Sequence, residues 1–96
     1  MKHLFSITCR NTTGEQIIPC VQSIRLHHET SDIVVIDSDS PNKDYFDKLQ
    51  QYNVSIENCK NSNYMTGAIW KAYYEYPNYD YYFFLQDSTM VVSNLL

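Results

Sequence analysis

Ile33-Val34-Val35-Ile36, set between Asp32 and Asp37, is an unbroken run of four β-branched residues. Side chains stiff at χ1 favour a strand over a helix. A run that is apolar throughout, with no alternation, reads as a strand buried on both faces. Such strands lie inside parallel sheets that carry helices on both sides. Asp37 then stands at the carboxyl end of the strand, where open α/β sheets bind their ligands.

The rest of the chain supplies the partners such a strand needs. Leu4 to Cys9 is rich in β formers and reads as a first strand, followed by the polar loop Arg10-Asn11-Thr12-Thr13-Gly14. From Glu15 to about His28, Ile17, Val21, Ile24 and His28 fall on one helical face, and Pro19 is tolerated in the first turn. After Asp37, Ser40 and Pro41 form a cap and first position for a short helix bearing Tyr45, Phe46, Leu49 and Tyr52. Val54 to Ile56 is a brief third strand. A third helix is expected over roughly Tyr64 to Tyr76, stopped by Pro77 and Asn78. Last comes Tyr81-Tyr82-Phe83-Phe84-Leu85, a second apolar run that reads as buried on both faces and leads directly into Gln86-Asp87-Ser88.

The order β-α-β-α-β-α-β implies a three-layer, Rossmann-like α/β unit with right-handed crossovers and a mostly parallel four-stranded sheet. In the strand order 3-2-1-4, strands one and four lie side by side where the chain reverses direction. Ninety-six residues suit one domain, 1–96, which buries roughly two-thirds of its unfolded surface. Hydrophobic content of 44% and charged content of 19% are those of a folded globule rather than a disordered chain.

Charge and cysteine usage exclude several classes. A formal charge of -4, with seven scattered basic residues, argues against a nonspecific nucleic-acid binder. No run approaches the length of a transmembrane helix, and the apolar stretch after Met1 is too short for a signal peptide, so a cytoplasmic location with no integral membrane segment is expected. Cys9, Cys20 and Cys59 lack CxxC spacing and read as buried thiols in a reducing compartment. His27 and His28 are adjacent and so point to different faces of a helix, which disfavours a shared metal.

In the 3-2-1-4 arrangement the loop after strand one (Cys9, Arg10, Asn11) faces the end of strand four (Gln86, Asp87, Ser88), and strand two adds Asp37 and Asp39. One guanidinium, several carboxylates and helix amino ends suit a nucleotide and a divalent cation better than an apolar ligand. GxGxxG and GxxxxGK[ST] are absent, which argues against a dinucleotide oxidoreductase and a P-loop NTPase. There is no GxSxG elbow for a serine hydrolase. A receiver domain would want acids after strand one, where Arg10 and Asn11 stand.

These residues resemble the amino-terminal, nucleotide-sugar-binding half of GT-A-fold glycosyltransferases, in particular the family 2-like group. Thr8-Cys9-Arg10-Asn11 followed by Cys20-Val21-Gln22-Ser23-Ile24 is similar to that family's first strand, Asn-containing loop and C-L-x-S-I helix. Asp32 to Ser40 is similar to its I-V-V-D-D-G-S segment. Asn61 through Gly67-Ala68 and Ala72 to Phe84-Leu85-Gln86-Asp87-Ser88 is similar to its N-x-G...A segment and the strand ending in the DxD metal motif.

The resemblance implies a truncated GT-A nucleotide-diphospho-sugar transferase fold and a donor site made of Thr8, Arg10, Asn11, Asp37, Asp39, Asn63 and Gly67. The loop from Thr8 to Asn11 would border the base, and Asp37 or Asp39 would accept a hydrogen bond from it. Asp87 would face a Mn2+ or Mg2+ ion bridging the diphosphate, where a hard cation neutralises the leaving group. Two positions depart from the family. Ser38 replaces its second aspartate, and the DxD motif is reduced to Gln86-Asp87-Ser88. In the family the acceptor site and catalytic base come from the second half of the domain, so no catalytic residue is assigned within these 96 residues. The chain reads as the donor-binding half of a larger transferase domain, unable to complete a transfer cycle alone. A catalytically inactive nucleotide- or partner-binding α/β module is the competing class. The 3-2-1-4 order also leaves strand four as an apolar edge, so association with another copy is expected through Tyr81 to Leu85 or through the tail from Met90 to Leu96.

Overall fold

A computed structural model describes residues 2–9, 15–37, 45–58, 69 and 72–93. The elements are β1 (His3–Cys9), α1 (Ile17–His27), β2 (Asp32–Asp37), α2 (Tyr45–Leu49) with a 3-10 turn (Gln50–Tyr52), β3 (Ser55–Asn58) and β4 (Tyr81–Gln86). The strands form one sheet in the order β3-β2-β1-β4, and every pairing is parallel. The expected architecture and strand order are those observed.

Burial follows from that order. β1 and β2 have a neighbour on each side, and Leu4 to Cys9 and Ile33 to Asp37 are buried without a break. One face of the sheet presents Phe5, Ile7, Ile33 and Val35 to Ile17, Cys20, Val21 and Ile24 of α1 and to Tyr45 and Leu49 of α2. The expected helical face of α1, Ile17, Val21, Ile24 and His28, is buried throughout. Each fully buried aliphatic side chain contributes roughly 1.5–3 kcal/mol. The opposite face carries Leu4, Val34 and Ile36 against Tyr76, Tyr79 and Tyr82.

Three local readings are corrected. β4 is not buried on both faces: Tyr81, Phe84 and Gln86 are exposed, because the strand has β1 on one side and no neighbour among the described residues on the other. α1 starts at Ile17, two residues later than expected, with Gln16 at its cap and His28 just past its end. Pro19 is therefore the third helical residue, still among the first four whose N–H would have no intrahelical partner. β3 starts at Ser55 and extends to Asn58, because Asn53 takes a left-handed conformation (φ 55) that ends the 3-10 turn first. Residues 69 and 72–75 are helical, and Tyr76 donates its amide to Ala72 O at 3.0 Å. Most of the expected third helix, and the cap at Ser40, lie outside the described residues.

Candidate functional site at the carboxyl edge of the sheet

Parallel register lines up the strand ends. Asp37 pairs with Cys9 on one side and Asn58 on the other, and Thr8 pairs with Gln86. The amide of Asp87, just past β4, donates to the Thr8 carbonyl at 3.1 Å, which extends the β1–β4 ladder by one bond beyond the strand. Thr89 N–H closes the turn on Gln86 O at 3.0 Å. Asp87 is thus held directly beside the tip of β1 by backbone bonds that any residue could make. Its carboxyl is what its identity adds.

Asp87 is 9% exposed. Burial raises its carboxyl above the usual aspartate range, and hydrogen bonds from its own amide and that of Ser88 pull in the opposite direction. Two thiols lie within its field. Burial, with Asp87 adding to it, pushes Cys20 up to about 12. Cys9 is likewise pushed up to about 12, chiefly by burial, with both Asp37 and Asp87 adding to the effect. Both cysteines are free and buried, as their spacing suggested, and both thiols stay protonated at neutral pH. Cys20 Sγ also lies 3.9 Å from Gln86 O, tying α1 to the end of β4.

Asp37 is fully buried. Its Oδ1 accepts a hydrogen bond from the Tyr45 hydroxyl at 2.7 Å, and Cys9 Sγ lies 3.7 Å from the same oxygen. Cys9 Sγ and Tyr45 Oη are 3.2 Å apart, so the three groups form a closed triangle under the ends of β1 and β2. Burial and hydrogen bonding to Cys9 and Asp37 push the Tyr45 phenol well above its ordinary value, so it acts as a donor. The arrangement turns at least one oxygen of Asp37 inward, to hold the first residue of α2 against the sheet.

Of the donor-site residues expected from the sequence, Thr8, Asp37 and Asp87 are described. Thr8 and Asp87 are brought into direct backbone contact, with the Thr8 residue only 2% exposed. Asp37 is one strand further along. Arg10, Asn11, Asp39, Asn63 and Gly67 lie outside the described residues. Tyr45 was read only as part of a helical stripe; a hydroxyl-bearing aromatic in the first turn after a strand that ends in aspartate is the signal for its role. Among the described residues no group of three His, Cys, Asp or Glu side chains is placed to hold a metal ion. Asp87 is the acid that the end of β4 brings beside the tip of β1, and one carboxylate can serve a cation whose other ligands are phosphate oxygens and water.

The parallel sheet in the order β3-β2-β1-β4, with helices between strands, defines a Rossmann-like α/β unit that carries Asp37 and Asp87 at its strand tips. No protein-family description matches the chain, and no curated protein matches it in sequence. Among solved structures it is similar to S. aureus TarS, a glycosyltransferase, with a TM-score of 0.70 at 12% sequence identity. That likeness covers 92% of this chain and 17% of TarS. The likeness is one of fold, and the chain spans about a sixth of the length of the protein it matches.

Proposed function

We propose that this chain is the nucleotide-sugar-binding unit of a glycosyltransferase of the GT-A type, and that its ligand sits across the tips of β1 and β4. The observation that carries the reading is the position of Asp87, a mostly buried carboxyl at the end of β4, held by backbone bonds next to the β1 tip. A carboxyl whose charged form is disfavoured by burial gains most from a cation that restores its charge balance. Asp87 would be the protein ligand of a Mn2+ or Mg2+ ion, which when bound would neutralise charge on the departing diphosphate. The glycosyltransferase-like fold supports the same reading.

Within it, Asp37 supports the site through Tyr45 and the start of α2. Base recognition then falls to the loop of Thr8, Arg10 and Asn11 and to Asp39, with Asn63 and Gly67 completing the donor site. Transfer itself requires an acceptor site and a base beyond this unit.

Calorimetry with UDP, GDP and their sugars, with and without Mn2+, tests the proposal. The expected result is metal-dependent binding that Asp87→Ala weakens on the order of tenfold or more. Nucleotide binding indifferent to metal and to Asp87 would instead support an inactive binding module, and absence of binding would overturn both readings.

A further inference from the structure

The chain that leaves β4 is fastened to α1 by one hydroxyl. Ser23 Oγ donates to Cys20 O at 2.7 Å, which spends its single proton, and its lone pair accepts the Val91 amide at 3.0 Å. A serine inside a helix that bonds back to its own turn gains the helix nothing by it, since alanine is the better former. Here the same bond turns an oxygen toward a residue 68 positions away in sequence. Ser23 and Val91 are 7% and 5% exposed, so the bond is shielded from water, and Val91 packs with Cys20, Val21 and Ile24 in the main core. Cys20, one turn earlier on α1, reaches the start of the same segment through the contact of its Sγ with Gln86 O.

We infer that Ser23 is a positioning residue for Asp87, fixing from α1 the turn whose carboxyl would hold the metal. The role rests on the donor-site reading proposed above. Three backbone bonds hold the segment from Gln86 to Val91: the Asp87 amide on Thr8 O, the Thr89 amide on Gln86 O, and the Val91 amide on Ser23 Oγ. The first two tie the turn to β1 and to itself. The third sets its far end. The Asp87 carboxyl accepts from the amides of Asp87 and Ser88, so its direction follows the backbone of this turn. Metal–oxygen distances tolerate only about 0.2 Å, and a site served by one protein carboxylate depends on where that carboxylate is aimed. A residue that orients a ligand without touching the metal typically changes affinity by roughly 10–100-fold.

Ser23→Ala tests this, because it takes the acceptor from the Val91 amide and alters no residue of the donor site. Hydrogen exchange of the Val91 amide should quicken, and with it that of Thr89 and Asp87. Mn2+ in the presence of UDP should bind on the order of tenfold more weakly by calorimetry. Ser23→Thr keeps the hydroxyl and should restore both readings, whereas Ser23→Val, of the same shape without it, should not. Arg25→Ala, destabilised at the opposite end of the sheet, should bind Mn2+ like the unaltered chain, which separates positioning from stability. One reading needs no variant: in the unaltered chain the amides of Asp87, Thr89 and Val91 should open as one unit, with a common denaturant dependence. Independent opening of those amides overturns the inference, and so does a Ser23→Thr chain that binds no better than Ser23→Val. Mn2+ binding that Asp87→Ala abolishes and Ser23→Ala leaves intact removes Ser23 alone. An unaltered chain that takes up no Mn2+ with UDP overturns the donor-site reading, and the role of Ser23 with it.

Discussion

The two ends of the sheet are built in opposite ways. At the amino end, beside Asp32, the Arg25 side chain closes the structure by spending its donors on backbone carbonyls. Nε donates to Tyr52 O at 2.9 Å, Nη1 to Ser31 O and Glu29 O at 2.5 and 3.3 Å, and Nη2 to Asn53 O at 3.0 Å. These carbonyls belong to the α1–β2 connection and to the end of the 3-10 turn before β3, so one guanidinium ties two chain connections together. Around it Glu29, Thr30, Gln51 and Asn53 line a depression of about 430 Å³. At the carboxyl end the acids Asp37 and Asp87 are buried beside thiols and a phenol that stay neutral. One end has its polar groups satisfied by charge-assisted bonds. The other gathers two buried acids near neighbouring strand tips, a concentration of titratable groups that marks a candidate site.

Substitution at each end should separate these roles. Arg25→Ala removes all four bonds and leaves half-buried carbonyls to find water, with an expected loss of about 2–4 kcal/mol in unfolding free energy. Arg25→Lys should recover little of it, because an ammonium cannot reproduce the fork. A denaturant midpoint close to that of the unaltered chain would show that the amino end is not the fastening. Asp87→Asn, which keeps the shape of a buried side chain whose charge burial disfavours, should leave that midpoint nearly unchanged. Its effect belongs to the binding measurement described above.

Tyr45→Phe is the next test in size. It removes the hydroxyl that donates to Asp37 Oδ1 at 2.7 Å, a closer contact than the Cys9 thiol makes at 3.7 Å. The expected loss is about 1–3 kcal/mol. Asp37→Asn combined with Tyr45→Phe should cost less than the sum of the two, since both remove the same contact. Strict additivity in chemical denaturation would show that the triangle of Cys9, Asp37 and Tyr45 is not a unit.

The parts of this design legible in the sequence are those set by patterns of neighbouring residues. The apolar runs and the helical stripe between them define an α/β sheet, and the β-α-β order restricts how the strands can be arranged. β2 and β4 show where such reading stops. Ile33 to Ile36 and Tyr81 to Leu85 are equally apolar runs, yet the first is sealed on both faces and the second is half exposed. A strand's burial is decided by its neighbours in the sheet, which its own residues do not encode. Asp37 and Asp87 stand out in the sequence because each lies just beyond an apolar run. Tyr45 and Arg25 were not read as organisers, because their partners lie eight and up to 28 residues away in sequence. Arg25 bonds only to carbonyls, which every residue carries, so no side-chain pattern announces it.

The smallest expected effect comes from a buried titratable residue of the amino half. His28, just past α1, packs against Phe5 and Phe83 with ring centroids 4.9 and 6.4 Å away. Burial lowers its pKa below the ordinary histidine value, and His27 and His3 add to the effect by disfavouring a further positive charge nearby. The unfolded chain therefore takes up a proton at a higher pH than the folded one. The stabilising contribution of neutral His28 is complete above about pH 6.5, the unfolded value, and is lost as pH falls from there through the lower folded value. Thermal unfolding followed from pH 7.5 to 5 should show this loss, and His28→Phe should flatten that part of the profile. The carboxyl end carries the opposite imbalance: Asp87, raised by burial, favours folding more when protonated, so over acid pH it offsets the loss at His28. Asp87→Asn should therefore steepen the acid limb that His28→Phe flattens, and an acid limb indifferent to both would break the contrast between the two ends.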